Sequence, residues 1–134
     1  MIFETDKDRH NQDRLQAFLE SKGYQVTQTG TTAHYDMMVH IKGRLHALIE
    51  FKQRDKLWNP LKIDHSKVSE LVSAARSKTV KGLVVIGVGE DFFFAEAHTC
   101  WPEGSLLRKR GGQRRGETTD KVFEIPSRDF TRMK

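Results

Sequence analysis

Apolar residues recur at helical spacing in two stretches of this chain and at strand spacing through most of the remainder. Leu15, Phe18 and Leu19, with the aliphatic stem of Lys22, form one narrow stripe, which predicts a helix over 5–22. Thr5 or Asp6 is suited to cap its start, and Gly23 to close it in the left-handed conformation. A strand is expected over 24–29, with Tyr24 and Val26 on one face, and the next few residues read as a loop. Strands over 35–41 and 45–54 follow, joined by a tight turn at Lys42-Gly43-Arg44. Asn59-Pro60 then interrupts the chain. Asp64 or Ser66 caps a second helix, in which Val68, Leu71, Val72 and Ala75 recur at helical spacing. Leu83 to Val88 is an unbroken apolar run, the pattern of a strand buried on both faces. Another strand is expected from Phe92 to Ala97, with its phenylalanines buried on both sides. A last short strand runs from Val122 to Ile125 and stops at Pro126.

The order is helix, three strands, helix, strand, with additions at the end. A crossover helix of about a dozen residues favours a parallel relation between the strands it joins. The expected class is α/β (α+β) with a mixed sheet. No repeat or linker divides the chain, so one domain over 1–134 is expected. Its core covers about 5–100, and a basic loop and final strand occupy about 101–134.

Charge adds a partner to this picture. The 134 residues hold 23 Lys+Arg against 18 Asp+Glu, a net charge of +5. Segment 104–116 contains Arg108, Lys109, Arg110, Arg114 and Arg115 and no acid, so outside it the charges balance at 18 each. A glycine-rich basic stretch of this kind is matched to a polyanion. The single cysteine, Cys100, excludes an intrachain disulfide and a multi-cysteine metal site. No apolar run is long enough for a membrane helix, and the first 20 residues lack the pattern of a secretory signal. An intracellular protein without a membrane partner is expected.

The central hairpin carries the chemistry. With a three-residue turn centred on Gly43, residues whose numbers sum to 86 face each other. Met37 then pairs with Ile49, Val39 with Ala47 and Ile41 with Leu45, and Phe51 extends this wholly apolar face. A slip of one residue would mix the faces, which argues for the register. The opposite face pairs His40 with His46, Met38 with Leu48 and Asp36 with Glu50, with Lys52 two positions further on. Two carboxylates directly opposite in a sheet repel each other, and burial raises the cost unless a cation is supplied or one carboxyl is protonated; a divalent metal is the simplest resolution. Two carboxylates with waters suit Mg2+ better than zinc. Lys52 is then close enough to orient or deprotonate an attacking water, and the set describes metal-assisted hydrolysis of a phosphodiester.

Tyr35-Asp36, the hairpin, and Ile49-Glu50-Phe51-Lys52-Gln53-Arg54 resemble the core of the PD-(D/E)XK nucleases, whose αβββαβ order matches the order expected here over about 5–90. Arg54, Lys67 at the opening of the next helix, and the late Gly/Arg loop resemble small phage-encoded members. More distantly, the chain is similar to archaeal Holliday junction resolvases. The resemblance implies Mg2+, with Mn2+ as a substitute, held by Asp36, Glu50 and the backbone carbonyl of Phe51, and a catalytic set of Asp36, Glu50 and Lys52. Tyr35 stands where the family name has proline. Many members carry a first-helix glutamate where this chain has Gln12, so either that amide contributes to the site or the first helix contributes nothing.

The expected function is therefore a magnesium-dependent DNA endonuclease in the cytoplasm of a bacterial or phage-infected cell. Alternatives are a Holliday junction resolvase and a non-catalytic nucleic-acid-binding module on the same fold. The expected partner is duplex or branched DNA. Lys67, Arg108, Lys109, Arg110, Arg114 and Arg115 are the candidate DNA contacts, and a homodimer is an option because a duplex has two strands to cut. His40 and His46 are more simply surface imidazoles than metal ligands, and Trp58 and Trp101 more simply packing residues than base-stacking ones.

Overall fold

A computed structural model describes residues 6–30, 33–109 and 117–134, and the side chains of 9–30, 33–107 and 119–134. In chain order the elements are α1 (Asp6–Ser21), β1 (Gln25–Gln28), β2 (Met37–Ile41), β3 (Arg44–Arg54), β4 (Leu61–Asp64), α2 (His65–Lys78), β5 (Lys81–Val88), β6 (Asp91–Glu96), β7 (Glu103–Lys109), β8 (Glu117–Ile125) and β9 (Thr131–Arg132). A six-stranded sheet is ordered β1-β2-β3-β5-β6-β9, and a three-stranded sheet β4-β8-β7. As the crossover helix implied, β3 and β5 are parallel, while the other neighbours in the large sheet pair antiparallel.

Alternation along β3 sorts the core into two. Ala47, Ile49 and Phe51 meet Leu15 and Leu19 of α1, with Met37, Val39 and Val85. Leu48 faces the other way, with Val84 and Ile86, onto Val68, Leu71 and Ala75 of α2. Phe123, Ile125, Leu61 and Ile63 bring the small sheet onto that same side. Helix α2 comes close to β5 because residue 82 is glycine: a Cβ there would lie 3.1 Å from Leu71 Cγ. Gly23, at φ +95°, closes α1 as expected, with the Tyr24 amide donating to the Leu19 carbonyl at 3.2 Å.

Three expectations are corrected. The hairpin turn holds two residues, not three: Lys42 and Gly43 both have positive φ, at 50° and 78°, and Ile41 pairs with Arg44. Such a turn matches the twist of its strands. A bulge between Val39 and His40 absorbs the one-residue difference, so the sum of 86 holds from Met37 to Val39 and fails nearer the turn. His40 faces Leu45, so the His40–His46 pair does not form. The left-handed Lys42 costs about 1–2 kcal/mol. Each apolar side chain kept on the α1 face gains roughly 1.5–3 kcal/mol, so face matching decides the register.

The second correction concerns the basic segment. Residues 104–109 are strand rather than loop: β7 pairs along its length with β8, and Arg108 and Lys109 stand opposite Thr118 and Glu117. Arg110, Arg114 and Arg115 lie outside the described residues. The last strand is correspondingly longer than the four residues expected, because β7 pairs with it from Glu117 to Phe123. The third is β4, in the break after Asn59-Pro60. Leu61 and Ile63 alternate inward there and pair with β8, and this partner is remote in sequence.

Candidate active site

Asp36 sits just before β2, and its backbone is tied on both sides. Its amide donates to the Ile49 carbonyl at 2.8 Å, and its carbonyl accepts from the Thr29 amide at 2.9 Å. The Thr29 hydroxyl donates to the Tyr35 carbonyl. The Phe51 amide donates to Asp36 Oδ2 at 2.8 Å, so the side chain takes a donor that a continuing β2 would have paired. In an extended strand a residue's N–H and C=O point to the same side. The Phe51 carbonyl is therefore directed toward the edge that Asp36 occupies.

Glu50 is 2% exposed, on the α2 face of β3. Burial first, and the Asp36 charge second, push its carboxyl up to about 7. The Lys52 charge and hydrogen bond, and the Lys67 charge, act in the opposite direction. Lys52 Nζ lies 3.2 Å from Glu50 Oε2, with its own side chain 31% exposed. Lys67 belongs to the first turn of α2, so the crossover returns a cation to the strand that carries the carboxylate. One ammonium in direct contact does not offset both the burial and the second acid.

Asp36, Glu50 and Lys52 thus meet at one place, with Lys67 near enough for its charge to act on Glu50. Gln12 is half-buried in α1, which packs on the other, Phe51-bearing side of the sheet. A second tie was not visible in the sequence: His34 Nδ1 is 3.2 Å from Glu70 Oε2 and joins the loop before Asp36 to α2. Its only sequence signal was a histidine two positions before the aspartate, which alone carries no weight. The basic hairpin is docked on the start of α2, where His65 Nε2 meets Glu103 Oε1 at 2.7 Å and the His65 ring stacks on Phe123. A wide apolar groove of about 1330 Å³ opens on the α1 side, over Val39, Ala47, Ile49, Leu83 and Phe94, and contains neither carboxylate.

No family model and no curated protein sequence matches the chain. Among solved structures, it is similar to Hjc from Archaeoglobus fulgidus, a Holliday junction resolvase from an archaeal hyperthermophile. The identity is 17%, the TM-score 0.61, and the match covers 90% of this chain and 92% of that one. At that identity the likeness concerns the fold: the chain has the restriction-endonuclease-like α+β architecture that its order of elements predicts.

Proposed function

We propose that the chain is a magnesium-dependent endonuclease that hydrolyses phosphodiester bonds in DNA. The observation that carries this reading is the meeting of Asp36, Glu50 and Lys52 at one end of the β2–β3 hairpin. A divalent cation suits the donors present. Two carboxylates repel each other there, one of them nearly buried, and the available donors are oxygens. Among the described residues no third His, Cys, Asp or Glu joins them, which favours a hard ion that keeps waters over zinc. Asp36, Glu50 and the Phe51 carbonyl would hold Mg2+ or Mn2+. When bound, the ion supplies Lewis-acid polarisation of the phosphate and charge stabilisation.

The chain's own groups do the rest. The Phe51 amide fixes the direction of the Asp36 carboxylate before substrate arrives. Lys52 orients the attacking water or steadies the charge that builds on the phosphate. Lys67, at the start of α2 where backbone amides also favour anions, binds a neighbouring phosphate. Arg108, Lys109, Arg110, Arg114 and Arg115 hold the duplex backbone without choosing sequence.

A second reading within this class is a resolvase acting on four-way junctions, favoured by the likeness to Hjc over nearly the full length of both chains. Incubation with supercoiled, linear, single-stranded and four-way-junction DNA, with Mg2+ or with EDTA, separates the readings. Cutting of all duplexes supports the general nuclease, and cutting confined to the junction supports the resolvase. Salt-dependent binding without cutting of any substrate replaces both with a non-catalytic binding module. The homodimer remains part of the proposal, on the ground that two strands are cut.

A further inference from the structure

The two tryptophans have opposite environments. Trp101 is 4% exposed, and its Nε1 donates to Asp129 Oδ2 at 2.9 Å. Trp58 is 48% exposed, one of three large apolar residues left open among those described. It lies six residues beyond Lys52, in 55–60, the connection that leaves β3 at Arg54 and returns through β4 to α2 and Lys67. Its neighbours are anchored: Leu57 packs against the α2-side core, and Asn59 Oδ1 accepts from the Ser127 amide at 3.1 Å. The backbone is thus held on both sides of an indole that stays outside. Lys56 Nζ lies 3.9 Å from the ring centroid. Residues 52–67 carry Lys52, Arg54, Lys56, Lys62 and Lys67 against Asp55 and Asp64. An exposed aromatic ring with a cation stacked on it, in a basic segment, is the combination that binds unpaired nucleobases.

We propose that Trp58, backed by Lys56, is a stacking platform for an unpaired base beside the carboxylate site. A base inside a continuous duplex has both faces covered and must be unstacked before it can use the indole. At a flap, a gap or a single-stranded end that unstacking is already done. The chain therefore prefers DNA in which a base near the cut is unpaired. This rests on the nuclease reading above and goes further by naming the substrate feature the site selects.

The test is binding in EDTA, so that no cutting intervenes, with the full chain and three probes: an oligo-dT 12-mer, a duplex carrying a single-stranded flap and a continuous duplex. Tryptophan emission should be quenched by oligo-dT and by the flapped duplex. Trp58→Phe, which leaves only the buried Trp101 to emit, should lose that quench. Trp58→Ala should weaken oligo-dT binding about tenfold to a hundredfold and leave duplex binding at the same salt unchanged. An unchanged quench in Trp58→Phe, or equal weakening for duplex and single strand in Trp58→Ala, overturns the platform. A chain that cuts DNA with Mg2+ but shows no Trp58-dependent quench keeps the nuclease reading and loses this one. One that shows the quench but never cuts does the reverse.

Discussion

The amide of Phe51 donates to Asp36 Oδ2 at 2.8 Å, so the strand that carries Glu50 also aims the carboxylate opposite it. One element therefore carries one acid and, through a backbone amide, directs the carboxylate of the other. Asp36→Asn keeps an oxygen that can accept this hydrogen bond and removes the charge. The variant should fold normally and lose affinity for Mg2+ or Mn2+ by more than the roughly 10–100-fold seen when only an outer-shell partner is lost. Calorimetric titration of both proteins checks this, and equal affinities would remove the shared site.

Glu50 gives the fold a pH dependence of definite sign. In the unfolded chain its carboxyl titrates near 4.5, and in the folded one near 7. Between these values the folded state holds a proton that the unfolded state has lost, so this group lowers stability as pH rises through the window. Urea unfolding in a chelator at pH 5 and pH 8 should show a drop that Glu50→Gln abolishes. Its size is a few kcal/mol at most, at about 1.4 kcal/mol per unit. Added Mg2+ should restore stability at pH 8 in the wild type and not in the variant.

Lys52→Met keeps the aliphatic stem and removes the ammonium 3.2 Å from Glu50. Glu50 can take up a proton instead of standing uncompensated, so stability near pH 6 should change little. The cleavage rate should fall by about 10² or more, the scale of one acid–base or electrostatic group. Normal cutting by this variant would reduce Lys52 to an ion-pair partner.

Replacing Arg108, Lys109, Arg110, Arg114 and Arg115 with Gln tests the basic segment. Each phosphate neutralised contributes roughly 0.9 to the slope of log affinity against log salt, so the slope should flatten by up to about four units. Metal affinity should be unaffected. An unchanged slope would mean that DNA docks elsewhere.

The parts of this molecule that could be read from its sequence are those whose pattern is local. The apolar positions from Met37 to Val39 and from Ala47 to Phe51 permit one register over the stretch nearest the site, and that register brings Asp36 to Glu50. Nearer the turn the same reasoning failed at His40 and His46, because a two-residue turn and a bulge replaced the regular ladder. β4 and β7 were missed for another reason. Both are defined by pairing with β8, and neither Leu61-Lys62-Ile63 nor a strand containing Gly104 announces that partner. The Phe51–Asp36 hydrogen bond and the His34–Glu70 tie were equally hidden, since both depend on how the chain bends before β2.

The most direct measurement of the central claim is cleavage of linear duplex and four-way-junction DNA by the wild type, Asp36→Asn and Glu50→Gln at equal protein concentration. Mg2+ and EDTA arms are run side by side. The wild type should cut with Mg2+ and not with EDTA, and each variant should be slower by at least about 10²–10³, while all three still bind the DNA. Cutting that persists in EDTA, or that either variant retains in full, would contradict a metal-dependent site at Asp36 and Glu50.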